Sequence, residues 1–204
     1  MASDKIRSNV TFSSERCASG ELIRFFVDAY QYVTKNGYDR EIDWARSLGL
    51  DKCTEEQFFQ EYVWVVLNSG MKEQVARKIY TDFMKGQDVN LIGHPMKRKA
   101  VFKIMNDYSI KEILTDLRAT EAIEEQLAIL DDLPMIGTIT KYHLAKNIGL
   151  DIAKPDRHLV RLAERFHYPN PQVLCEALAL EFSERVAVID QILWRYCNLN
   201  SGVC

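Results

Sequence analysis

The chain has 204 residues, 47% hydrophobic and 27% charged, with a formal net charge of −3. That suits one soluble globular domain, or two lobes around one cleft, and excludes a disordered or globally basic chain, so any nucleic-acid face must be local. No apolar run reaches the length of a membrane span, Met1-Ala2-Ser3-Asp4-Lys5-Ile6-Arg7 lacks a signal-peptide core, and the five scattered cysteines suit a reducing compartment. The expectation is an intracellular protein.

Helical periodicity runs through nearly every segment, and strand-like alternation is missing. Ser19 caps a helix carrying Phe25, Phe26, Ala29 and Val33 to the stop at Asn36-Gly37. Thr54 and Gln57 form a capping box before the most apolar helix, Phe58 to Leu67, which ends at Asn68-Ser69-Gly70. The next begins near Met71, and Ile92-Gly93-His94-Pro95 turns into another over Lys97 to Met105. Ser109 with Glu112 opens a helix through Leu117, and Ile123 to Leu130 follows. A helix from about Thr138 to Gly149 comes next, then one with Pro155 at its first position, one from Asn170-Pro171, and a last from Ser183. About ten short helices joined by brief loops make the chain all-α.

Two segments carry chemistry. In Leu133-Pro134-Met135-Ile136-Gly137-Thr138-Ile139, Pro134 fixes φ, Gly137 permits a tight turn, and Thr138 is placed to cap the next helix. Backbone N–H groups at such a helix start bind phosphate; equally, the segment reads as a plain αα-hairpin turn. One short helix later, Lys154-Pro155-Asp156-Arg157-His158 brings a carboxylate back to the same edge of the molecule. An aspartate in a first helical turn is also explained by the helix dipole alone.

The pair resembles the hairpin and aspartate of the helix-hairpin-helix (HhH-GPD) DNA glycosylases, the superfamily of endonuclease III, adenine glycosylase and the alkylpurine glycosylases. Leu133, Pro134, Ile136 and Gly137 match a Leu-Pro-Gly-(Ile/Val)-Gly hairpin, and Pro155-Asp156-Arg157-His158 a Val-Asp-x-His motif. Gly93 through Lys99-Ala100 is similar to the family's Gly…Lys-Ala helix start, and Phe59 to Gln74 to its buried helix and DNA-entering loop. The resemblance covers roughly residues 55–166.

It implies an all-α, two-lobed fold in a single unit of 1–204, with one lobe at about 50–148 that includes the hairpin 133–138. The other lobe would comprise about 1–49 and 149–204, with the active-site cleft between them. It further implies a partner, double-stranded DNA with a damaged or modified base, from which one nucleotide is flipped into the cleft. Asp156 would be catalytic, stabilising positive charge on the sugar and orienting or deprotonating water. Met135, Gly137, Thr138 and Ile139 would form the phosphate-binding hairpin, and Lys97, Lys99, Lys141 and Arg157 would contact DNA backbone. Asn68, Met71 and Tyr142 are the wedge and base-pocket candidates, and Trp44, Tyr62 and Trp64 are further aromatics that could stack on a base.

There are departures. Ile139 stands where bifunctional relatives carry a lysine nucleophile, and Lys141 lies about 200° further round the helix, so a monofunctional enzyme without AP-lyase activity is expected. Met135 replaces the first hairpin glycine. Cys197 and Cys204 begin the spacing of an iron–sulfur motif, but two cysteines cannot hold a four-cysteine cluster, so free thiols and no metal are expected. The resemblance leaves room for a monovalent cation at the hairpin and no other cofactor. The residues do not name the base, which would be a damaged one in repair or an enlarged modified base of phage DNA in defence. The alternatives are a non-catalytic hairpin DNA-binding module and an interaction protein unrelated to DNA. A monomer is expected.

Overall fold

A computed structural model describes residues 18–200. The Met1 to Arg7 stretch, Cys17 and Cys204 lie outside them. The described residues form eleven α-helices and one 3-10 turn, with no strand. In chain order these are α1 (Gly20–Lys35), α2 (Asp39–Ser47), α3 (Glu55–Asn68), α4 (Glu73–Gly86), the turn Val89–Leu91, α5 (Pro95–Asn106) and α6 (Ile110–Ala119). Then follow α7 (Ile123–Asp131), α8 (Thr140–Asn147), α9 (Arg157–Arg165), α10 (Pro171–Phe182) and α11 (Val186–Leu199).

Several starts are the expected ones. Ser19 accepts from the Leu22 amide, and both halves of the Thr54–Gln57 capping box form. Others differ. Ser109 and Glu112 have the spacing of a second capping box, but Ser109 accepts from the Glu112 amide without a reciprocal bond, so only half of it forms. Ser183 does not open the last helix; it closes α10 in a left-handed conformation, φ 51°, and α11 begins three residues later at Val186. α2 was not expected at all. It has no side-chain cap and buries only Ile42 and Ala45, too little apolar pattern to register.

Burial divides these helices between two cores. In the first, α3 is central: Phe58, Tyr62, Val63, Val65, Val66 and Leu67 are buried against α4, α5, α6 and α8. In the second, Val188, Ile189, Ile192 and Leu193 of α11 pack against α1, α9 and α10. Each such side chain contributes roughly 1.5–3 kcal/mol. The first core draws on residues from Cys53 to Ile152; the second joins Leu22 to Ala45 with Ala153 to Cys197.

The chain therefore crosses between cores twice, and the crossings touch. Gly149 has φ +100°, and a Cβ there would lie 2.4 Å from the Gly49 carbonyl carbon, so the approach admits glycine alone. Arg185 staples the junction, donating to the carbonyls of Ala45 (3.1 Å), Leu48 and Gly149 (2.9 Å). Closer to the cleft, buried Lys146 of α8 pairs with buried Asp190 of α11 and donates to Gln191 Oε1 at 3.2 Å.

Candidate active site

The hairpin between α7 and α8 is anchored from below, where the Tyr62 hydroxyl donates to the Pro134 carbonyl at 2.7 Å. Tyr62 is fully buried, which removes it from the aromatics that could meet a base. Met135 takes φ 61°, the left-handed conformation a glycine adopts without cost, so the backbone turn survives the loss of the glycine at a strain of about 1–2 kcal/mol. Its side chain points outward and is 37% exposed.

The helix start is displaced from the expected one. Thr138 caps nothing, and α8 begins at Thr140. The Thr140 hydroxyl accepts from the Gly137 amide at 2.7 Å, so this amide is turned inward and is not offered to an anion. That corrects the expected role of Gly137. Nothing lies within 4 Å of where its Cβ would be, so its protein neighbours do not themselves demand glycine. The Thr138 and Ile139 amides donate to no described residue. The Ile139 side chain is 44% exposed beside them.

Asp156 is the N-cap of α9 rather than a first-turn residue, because Pro155 sits before the cap and not at the first helical position. Its Oδ1 accepts from the amides of His158 (2.9 Å) and Leu159 (3.1 Å), while Oδ2 has no partner among the described residues. One oxygen is fixed and the other is open. The segment before it is fixed too: the Ala153 amide donates to Gln172 Oε1 (2.8 Å) and the Lys154 amide to Asp190 Oδ2 (2.7 Å). Asp190 thus holds both the α8 lysine and the strand of chain leading to Asp156. The His158 ring is buried with Nδ1 unpaired, and burial lowers its pKa.

Between the cores lies a cavity of about 220 Å³, lined from both sides. All three tryptophans of the chain, Trp44, Trp64 and Trp194, face it. Charged and polar groups fill the gaps. Arg195 forks onto Glu41 (2.6 and 2.9 Å) and Arg77 pairs with Glu73 (2.7 Å). The two guanidinium groups also cover Trp194 and Trp64, at 4.7 and 4.9 Å from the ring centres. His143, Lys146, Lys154, Asn68 and Asn147 complete the lining used below. Burial, with Lys154 and Lys146 nearby, pushes the His143 pKa down to about 3, so its ring is neutral at physiological pH.

The other expected site residues divide. Asn68 lines the cavity. Met71 and Tyr142 are partly buried against the first core and pack there. Lys99 and Arg157 are exposed. Lys141 pairs with Asp131 at 2.8 Å. Lys97 is no surface cation. It is 4% exposed, and its Nζ donates to the carbonyls of Leu67 (2.7 Å) and Ser69 (2.6 Å), neutralising the C-terminal end of α3. The expected backbone contact there is corrected. Cys197 is disulfide-bonded, correcting the free-thiol expectation, which rested on metal spacing alone. Among the described residues no cluster of three or more His, Cys, Asp or Glu is placed to hold a metal ion, and no helix is long and apolar enough to cross a membrane.

Two solved structures share this architecture. One is the crystal structure of Methanocaldococcus jannaschii 8-oxoguanine DNA glycosylase, 16% identical, covering 93% of this chain and 98% of that one at a TM-score of 0.61. The other is a Methanocaldococcus jannaschii 8-oxoguanine glycosylase/lyase in complex with a 15mer DNA containing 8-oxoguanine, 17% identical over 88% and 99%, also at 0.61. The chain has the helix-hairpin-helix DNA glycosylase fold. No family model and no curated protein matches it. Within the glycosylase fold, the residues that sequence reasoning passed over are Glu41, His143, Asp190 and Trp194, while Lys154 reads from sequence as a backbone contact and lines the cavity instead. The one signal that could have found part of this set is the rarity of tryptophan: three in the chain, all at one cavity.

Proposed function

We propose that this protein is a monofunctional DNA glycosylase that binds double-stranded DNA as a monomer, flips out one damaged or modified base and hydrolyses its N-glycosidic bond. The observation that carries this reading is Asp156, with Oδ1 pinned by two amides and Oδ2 without a partner among the described residues. A carboxylate held in this way stabilises positive charge developing on the sugar and takes a proton from the attacking water. The unpaired amides of Thr138 and Ile139 would hold a backbone phosphate, with exposed Lys99 and Arg157 as further backbone contacts. Ile139 offers no amine for a Schiff base, so the product is an intact strand with an abasic site. The shared fold with an enzyme that acts on DNA containing 8-oxoguanine supports the substrate class.

The tryptophan walls suit a base stacked on its faces. Glu41, Asn68, Glu73 and Asn147 also line the cavity, which favours a base bearing a polar substituent; with a phage-type modified base the role would be defence rather than repair. The test is incubation with duplexes carrying single uracil, 8-oxoguanine, 7-methylguanine, 5-hydroxymethylcytosine or glucosylated 5-hydroxymethylcytosine. Base release is read by mass spectrometry, and strand breaks with and without alkali. Release followed by alkali-dependent breaks is expected. Breaks without alkali overturn the monofunctional reading; binding without release moves the protein to the alternative, a hairpin DNA-binding module.

A further inference from the structure

Four cations line the inter-lobe cavity, and three of them are spent: Arg77 on Glu73, Arg195 on Glu41, and Lys146 on Asp190. Lys154 is the exception. No described residue bonds its Nζ, although its backbone amide is fixed by Asp190 Oδ2 and its carbonyl accepts from the Asp156 amide at 2.8 Å. The backbone is held on both sides while the ammonium is left to the cavity. Lys154 lines that cavity and Asp156, two residues on, does not, which suits the lysine to the base and leaves the carboxylate for the sugar.

We propose that Lys154 is the general acid of the reaction, protonating the base as it departs. This rests on the glycosylase reading above. The C1′–N bond breaks and its electron pair goes to the base. The Lys154 ammonium gives one proton to a nitrogen or exocyclic oxygen of that base and becomes a neutral amine. Water loses a proton to Asp156 as its oxygen bonds C1′, and the proton on Asp156 returns to Lys154 through solvent, restoring both groups. His143 is a far weaker acid than an ammonium, because its ring is neutral.

The surroundings suit Lys154 to this work. Burial lowers its pKa, Asp156 raises it, Lys146 lowers it and Asp190 raises it; the balance is a more acidic ammonium than an ordinary lysine. The remaining groups facing the cavity are neutral His143 and the charge-balanced pairs Glu41–Arg195 and Glu73–Arg77.

The test is single-turnover base release across pH 6 to 10, on whichever duplex of the panel the wild type processes, for wild type, Lys154→Met and Lys154→Arg. The wild-type rate should fall on the alkaline side as Lys154 loses its proton. Lys154→Met should release base on the order of 100-fold more slowly at neutral pH and lose that alkaline fall. Lys154→Arg should bind DNA normally and stay slow, since guanidinium is too weak an acid. A lysine that only holds phosphate would instead lower the salt slope of DNA binding by about 1 and leave the alkaline limb in place, overturning the proposal. Borohydride trapping of wild type but not of Lys154→Met would overturn it differently, by making Lys154 a nucleophile. If the wild type releases no base from any duplex, the glycosylase reading falls and this one with it. If release is intact in Lys154→Met, only the proposal falls.

Discussion

Asp156 does two jobs with two oxygens, and the jobs separate by substitution. In Asp156→Asn the side-chain carbonyl still accepts from the His158 and Leu159 amides, and Asn caps helices about as well as Asp. Thermal stability should stay within a few degrees of wild type while base release falls on the order of 100- to 10,000-fold, measured by single-turnover kinetics on matched samples. A variant that melts much earlier would show that the charge, not the oxygen, makes the cap. Met135 offers the complementary case, a strained backbone away from the chemistry. Its φ of 61° costs about 1–2 kcal/mol for a residue with a Cβ, against roughly 0.5–1 kcal/mol for the extra chain freedom of glycine. Met135→Gly should therefore raise stability by up to about 1 kcal/mol in urea unfolding; a loss would mean that the exposed Met135 side chain contributes packing. At this scale the sequence was legible where spacing speaks. The Pro155-Asp156 pair marked the start of α9, but the cap itself was misplaced, because a proline before an aspartate fits the N1 and the pre-cap position equally well.

Elements were read where they carry side-chain caps and a clear apolar stripe, as in α1 and α3, and missed where tertiary contacts replace both. α2 is the instructive failure. With two buried residues and no cap it has little intrinsic signature, yet it brings Glu41 and Trp44 to the cavity. α5 fails in another way. Lys97, Arg98 and Lys99 read as one basic run, but about 100° per residue sends them to different environments. Lys97 points into the protein to cap α3, and Lys99 points out. The two should part in experiment. Lys97→Met leaves the Leu67 and Ser69 carbonyls without their donor and should cost about 1–3 kcal/mol in urea unfolding, with the salt dependence of DNA binding unchanged. Lys99→Ala should stay within about 0.5 kcal/mol of wild-type stability and reduce the salt slope by about 1. An unchanged slope in Lys99→Ala would remove it from the DNA face.

At the scale of the whole molecule, the cavity exists because two cores meet without merging, and no local pattern announces such a place. Its residues come from α2, α3, α4, α8, α11 and the Lys154 loop, so they converge only after both lobes form. Lys146 and Asp190 tie α8 to α11 at the back of the cavity, and a buried pair of this kind is costly to break from one side. His143 lines the cavity alongside Lys146 and Lys154. Burial first, then Lys154 and Lys146, hold the imidazole neutral down to about pH 3, against an unfolded-state pKa near 6.5. Because the folded pKa is the lower, the unfolded chain binds the extra proton first. The resulting stability is complete above about pH 6.5 and drains away as pH falls towards 3. His143→Gln removes the titrating group while keeping a polar side chain, so its unfolding free energy should lose less per pH unit than wild type between pH 6 and 4, by up to about 1.4 kcal/mol. Carboxylates add their own slope to both proteins and cancel in the difference. Parallel wild-type and variant curves would mean that the imidazole takes up its proton in the folded state, with the cavity open to water and the lobes apart.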